Sequence, residues 1–119
     1  MTDEELELYL RGLGLSVEAA GDSSGNPYIV IRGVVIPSGP LKDLTCDVAL
    51  ARCQTIPYVV PPAIHTRPAL VPMDMAGPNK TQASALGTDW QYWSRRFDRP
   101  PTPKAVWAHI LTIFCQVVT

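Results

Sequence analysis

The chain has 119 residues, of which 46% are hydrophobic and 18% charged, and its formal net charge is -1. This length fits one compact domain, and the hydrophobic share argues against disorder, so we treat residues 1–119 as a single domain. A near-neutral chain lacks the surplus of Lys and Arg that binds phosphates, so nucleic acid is not an expected partner.

The N-terminal residues Met1–Glu5 are acidic, unlike a secretory signal, and no apolar run follows them. The longest apolar stretch, Ala105–Val118, contains polar residues and is shorter than the ~20 residues of a membrane span. No membrane association is therefore expected. The three cysteines, Cys46, Cys53 and Cys115, form neither an even set nor a CxxC pair, which disfavours disulfides and zinc ribbons. We expect a cytoplasmic protein without a cofactor.

A helix is predicted at the N-terminus, because Thr2 and Glu5 have the spacing of a capping box and leucines then recur at helical intervals. Gly12 and Gly14 are expected to end it. The segment Asp3–Asp22 holds six acidic residues against one basic residue. These acids form either a solvated face favoured by the helix dipole or a docking face for a basic partner.

The next half of the chain is typical of strands separated by proline and glycine turns. Strands are predicted at Leu15–Ala20, Tyr28–Ile36, within Asp43–Cys53 and at Ala63–Thr66, on the basis of β-branched residues and apolar alternation. Together they predict an antiparallel meander of three or four strands.

No clear periodicity runs between Pro68 and Thr102, which predicts a long structured loop, and loops of this length are usually functional. Thr102 and Pro103 have the character of an N-cap and a first helical residue. A helix from Pro103 to about Val118 is apolar on most sides and is expected to pack across the sheet. The predicted fold class is α+β.

The two histidines, His65 and His109, are predicted to be structural. His109 lies in the apolar helix, and His65 lies on a strand edge where packing or hydrogen bonding is favoured over catalysis. Their number and spacing disfavour a metal site. Cys46 and Cys115 are predicted to be buried. Cys53 lies on the other strand face and is predicted to be structural.

The densest cluster of aromatic and basic residues runs from Trp90 to Phe97. In one interpretation, Trp90 and Trp93 pack the loop onto the core while Arg95 and Arg96 reach solvent or pair with acids. In the other, these four residues form a partner-binding patch, since Trp and Arg are enriched at interface hot spots.

The order of helix, meander, proline-rich element Ile56–Pro62, loop, Trp93-Ser94 and apolar helix resembles the ubiquitin-conjugating enzyme (UBC-like) superfamily. Within it, the chain is similar to the bacterial branch called prokaryotic family E, at Val34–Gly39 and Trp90–Arg95. The resemblance covers nearly the whole chain and implies a UBC-like fold. The branch typically has His after Ser-Arg, where this chain has Arg96.

The resemblance also implies a thioester on a loop cysteine, with the asparagine of a His-Pro-Asn element stabilising the oxyanion. The expected cysteine position falls near Ala85, where the chain has no cysteine. Gly77-Pro78-Asn79 is the nearest trace of His-Pro-Asn, and Asn79 is a candidate oxyanion donor. Ser84 is the only hydroxyl beside the nucleophile position, and no base is expected next to it.

Three functional hypotheses follow. In the first, the chain is a noncatalytic UBC-like protein of bacterial type that binds a ubiquitin-like protein, its activating enzyme, or both. In the second, it is an active conjugating enzyme with a displaced nucleophile, Cys53 or, as an oxyester, Ser84. In the third, it is an adaptor whose acidic helix and aromatic-basic loop bind unrelated proteins.

Overall fold

A computed structural model describes residues 1–53 and 57–118 of the chain; Ile56, the first residue of the proline-rich element, lies outside them. Two helices and six strands follow one another in the order α1 Asp3–Gly12, β1 Ser16–Gly21, β2 Pro27–Val35, β3 Thr45–Ala51, β4 Ala63–Arg67, β5 Thr81–Ser84, β6 Gly87–Ser94 and α2 Pro103–Cys115. The α+β class is confirmed. Within the described residues, neither helix is long and apolar enough to cross a membrane.

The strands form one antiparallel sheet in the order β1-β2-β3-β4-β6-β5. Strands β1 to β4 are the predicted meander, and the expectation of three or four strands in all is wrong because β6 adds to the free edge of β4. The predicted loop between Pro68 and Thr102 therefore contains the β5–β6 hairpin. Its residues Trp90 and Trp93 lie on a strand and not in a loop.

The predicted helix starts are confirmed. Thr2 Oγ1 accepts a hydrogen bond from the backbone N–H of Glu5 at 3.1 Å, and Thr102 Oγ1 accepts one from Ala105 at the same distance. Helix α2 ends at Cys115, three residues before the predicted end at Val118.

The last turn of α2 lies against the turn that follows β2. A Cβ atom added to Gly39 would lie 2.8 Å from the Cα of Cys115, and Gly39 has φ +87°, so only glycine fits there. Cys115 is exposed, which corrects the prediction that it is buried. Its Sγ contacts Ser38 Oγ at 2.7 Å.

Both helices pack on the same face of the sheet and form the main hydrophobic core. Helix α1 contributes Leu6 and Leu10, and helix α2 contributes four buried residues. The sheet faces them with alternate side chains of its central strands, including Ile29, Ile31, Val48, Leu50, Ile64 and Trp93. This period-2 alternation puts the neighbouring side chains on the opposite face.

Gln91 is a buried polar residue on the helix-facing side of β6, and it fastens the segment before β5 to the sheet. Its Oε1 accepts a hydrogen bond from the backbone N–H of Leu70 at 2.9 Å, and its Nε2 donates to the carbonyl oxygen of Val71 at 2.7 Å. These hydrogen bonds compensate for the desolvation of the buried side-chain amide. The backbone groups of this segment thus gain hydrogen-bond partners, although the segment does not form a strand.

We predict that Gln91→Ala lowers the free energy of unfolding by about 2 kcal/mol, because backbone groups of the half-buried residues Leu70 and Val71 lose their partners. Urea denaturation measures the change. The matched control is Gln82→Ala on β5, whose exposed side chain should contribute less than ~0.5 kcal/mol. Equal stabilities of the two variants would contradict this role for Gln91.

Candidate functional site

Among residues 1–53 and 57–118, the second face of the sheet carries no helix, and we refer to it as the open face. Three rings form a ladder across it: His65 lies edge-on between Tyr28 and Tyr92, with both ring centroids 5.3 Å from its own. Beside them, Arg67 lies over the ring of Trp90 at 4.5 Å and donates hydrogen bonds to Asp47. The open face is therefore aromatic in its middle and ion-paired at one end.

The tip of the β5–β6 hairpin reaches this aromatic ladder. Ser84 Oγ lies 2.7 Å from His65 Nδ1, although the two residues belong to strands separated by β6. The backbone N–H of Leu86 also donates to Ser84 Oγ, at 3.1 Å. A register irregularity at Ala83/Ser84 accompanies this turn of the chain toward the open face.

The Ser84–His65 contact corrects two expectations from the sequence. Ser84 has a neighbouring base, contrary to the prediction that none lies beside it. His65 lies on the central strand β4 and not at a sheet edge, with an exposed fraction of 5%. The pattern of residues gave no signal for the pair, because 19 positions separate the two residues.

Burial determines the protonation state of His65. Desolvation lowers its pKa from 6.5 to about 4, and the negative charge of Asp22 opposes this only in part. His65 is consequently neutral at pH 7. In that state Nδ1 either accepts the Ser84 proton or donates its own, depending on the tautomer.

A cleft of about 380 Å³ opens next to this pair. His65 and Tyr92 line it together with both prolines of the Pro61-Pro62 element and with Ala83 and Ala85, the residues on either side of Ser84. The position near Ala85, where the resemblance places the missing cysteine, thus borders the same cleft as His65. This cleft is the candidate catalytic site of the chain.

The cysteines lie elsewhere. Cys46 is buried on β3, and desolvation raises the pKa of its thiol to about 12, which disfavours the reactive thiolate. Its predicted burial is confirmed. Cys53 follows β3, and its Sγ accepts a hydrogen bond from the backbone N–H of Val59 at 3.2 Å.

Asn79 is buried and holds the end of the chain. Its Nδ2 donates to the carbonyl oxygen of Val118 at 2.7 Å, and its Oδ1 accepts from the N–H of Val118 at 2.9 Å. Its own carbonyl oxygen accepts from Arg95 Nη1 at 2.6 Å. Asn79 is therefore joined to the residues that follow α2 and β6, and no hydrogen bond joins its side chain to Ser84 or His65 among the described residues.

The four predicted partner-binding residues differ in burial: the two tryptophans are buried and the two arginines are more accessible. Trp93 is fully buried on the helix side, where its Nε1 donates to Thr66 Oγ1 at 3.0 Å, and Trp90 is 7% exposed on the open face. The packing interpretation therefore describes both tryptophans. Arg95 is partly buried over the Trp93 ring, whereas Arg96 is exposed and remains available to a partner.

Among residues 1–53 and 57–118, no group of three or more His, Cys, Asp or Glu side chains is placed to hold a metal ion. Comparison of the chain with protein-family models, with curated proteins and with solved structures finds no match. The function must therefore be argued from the geometry of this chain.

We predict that the burial of His65 makes stability depend on pH. Its pKa is about 4 when folded and near 6.5 when unfolded, so the unfolded chain binds the extra proton between these values. The contribution is fully present above about pH 6.5 and is lost as the pH falls toward 4, amounting to roughly 3 kcal/mol at most.

Urea denaturation of the natural chain and of His65→Gln between pH 4 and pH 7 measures this contribution as a difference in slope. Carboxylates and His109 titrate in both proteins and cancel in the comparison. Parallel stability curves over this range would contradict a neutral, buried His65.

Proposed function

We propose that the chain is a UBC-like protein that acts in a ubiquitin-like modification pathway by binding a ubiquitin-like protein or its activating enzyme. The observation that carries the proposal is the order of elements: an N-terminal helix, a four-strand antiparallel meander and a C-terminal helix on the same face. This order supports the proposal, whereas the β5–β6 hairpin, which extends the sheet beyond β4, is not part of what the resemblance implies. Trp93-Ser94 lies at the end of β6 and precedes α2, which also supports the proposal.

The distribution of thiols supports a binding role over standard thioester transfer. The region of Ala85 has no cysteine, and Cys46 is buried with a raised thiol pKa. Of the predicted partner-binding residues, Arg96 is the one whose side chain is exposed.

Titration of the ¹⁵N-labelled chain with the ubiquitin-like protein encoded nearest to its gene tests this proposal, with ubiquitin as a second probe. We expect saturable chemical-shift changes, and Arg96→Glu should weaken binding by about tenfold, equivalent to ~1.4 kcal/mol. The control is Lys42→Glu, a charge reversal at an exposed turn residue. The absence of shifts at high micromolar concentrations of both probes would count against the proposal.

A second candidate function is transfer through an oxyester on Ser84, and the 2.7 Å contact between Ser84 Oγ and His65 Nδ1 favours it. In this step Ser84 Oγ would form an ester with the acyl carbon of an activating-enzyme thioester while the C–S bond breaks. The Ser84 proton would pass to His65 Nδ1, and the thiolate would leave and later take up that proton. A pKa of about 4 makes His65 a weak base, so we rank this function second.

Mass spectrometry of the chain after incubation with activating enzyme, ATP and ubiquitin-like protein tests the second function. The expected adduct withstands thiol reductants, is lost in Ser84→Ala and persists in Thr88→Ala, which removes a hydroxyl from the same hairpin. Loss of the adduct in Cys53→Ala would instead identify a thioester on Cys53. An adduct that survives Ser84→Ala would exclude the oxyester.

A further inference from the structure

Four cationic side chains gather where β6 leads toward α2. Lys80, Arg95, Arg96 and Arg99 line two adjoining clefts of about 350 and 260 Å³, and Arg95 and Arg96 border both. The carboxylate among the lining residues belongs to Asp98. We refer to these two spaces as the cationic clefts. They lie apart from the His65–Ser84 cleft, with which they share no lining residue.

These cations differ from the other arginines in their pairing. Arg11, Arg32, Arg52 and Arg67 each lie within 4.0 Å of a carboxylate oxygen. In the part of the chain that the structure describes, the four cations of the clefts have no such ion pair. Arg95 is partly buried and the other three are exposed. Their like charges repel one another, and a bound anion would relieve this repulsion.

Arg95 is held in place without being neutralised. Its Nη1 donates to the carbonyl oxygens of Asn79 and Ser94 at 2.6 and 2.7 Å, and its guanidinium lies 5.6 Å from the Trp93 ring centroid. Both acceptors are backbone groups, so the positive charge remains. Burial lowers the pKa of Arg95, and the charge of Asp74 opposes this. A fixed guanidinium loses less conformational entropy on binding an oxyanion than a mobile one.

The pKa of His109 is affected by the positive charges of the clefts. Its ring lies 5.2 Å from that of Phe97 and lines the larger cleft. Burial lowers its pKa first, and the charges of Arg99 and Arg95 lower it further, while Asp98 acts in the opposite direction. A proton on His109 is therefore disfavoured by the same charges that would attract an anion.

We propose that the cationic clefts bind the phosphate group of a small molecule. The larger cleft, of about 350 Å³, has the size of a small-molecule site, which spans roughly 300–1,000 Å³. Arginine forks match the oxygens of a phosphate in geometry and charge. The four cations lie around two small adjoining spaces, which favours a compact dianion over an extended acidic peptide. This inference does not depend on the function proposed above.

Titration of the ¹⁵N-labelled chain with sodium phosphate and with adenosine monophosphate, at constant ionic strength, tests the proposal. We expect saturable shifts of the Arg95, Arg99 and His109 signals, and an increase in the pKa of His109 on saturation, because a bound anion offsets the neighbouring positive charges. Tighter binding of the nucleotide would identify an organic phosphate as the ligand. Equal binding would identify free phosphate.

Arg96→Gln should weaken phosphate binding by about tenfold, since it removes a charged donor that lines both clefts. Its exposed side chain makes no hydrogen bond among the described residues, so the fold should be retained, as amide spectra would show. The control is Lys42→Gln, which removes an exposed charge outside the clefts.

Two results would overturn the proposal. In one, phosphate and the nucleotide cause no shift beyond that caused by sodium chloride, or Arg96→Gln binds as the natural chain does. In the other, a glutamate-rich peptide binds at the clefts while phosphate does not.

Discussion

The indole ring of Trp93 has to be removed from water while its N–H keeps a hydrogen-bond partner, and this requirement organises the molecule. Thr66 on the neighbouring strand accepts the N–H, and the ring meets Phe114 of α2 edge-on with centroids 5.8 Å apart. These contacts join β4, β6 and α2 at one point. A large aromatic ring with a satisfied polar atom stabilises a core by burial and restricts it to one arrangement.

The two-residue period of β6 then separates two kinds of chemistry. Trp93 and Gln91 face the helices, whereas Trp90 and Tyr92 face the open side, where Tyr92 meets His65. Strand β6 ends at Ser94, and the next residue, Arg95, lines both cationic clefts. A single strand thus supports the His65–Ser84 cleft from its middle and the cationic clefts from its end.

Much of the fold could be predicted from the sequence, because β1 to β4 and both helices carry strong local signals. Thr2 and Thr102 cap their helices as expected, and the strand bounds differ by a few residues. Strands β5 and β6 were missed for a physical reason. Strand β5 has little apolar character, and β6 buries Gln91, whose partners lie in a segment some 20 residues earlier.

The sites were less predictable because they depend on contacts across the sheet. Ser84 and His65 meet only because β6 inserts between their strands and the hairpin tip bends over it. Likewise, nothing local indicates that the Asn79 amide would be used by Val118. The basic character of the cluster from Trp90 to Phe97 was visible in the sequence, but the lack of an ion pair at Arg95 and Arg96 among the described residues was not.

Asn79 links two parts of the molecule that lie apart in the sequence. Its side chain is hydrogen-bonded to Val118, which follows α2, and its carbonyl oxygen accepts a hydrogen bond from the guanidinium of Arg95. The residues that follow α2 and the Arg95 guanidinium at the cleft wall are therefore connected through this one residue.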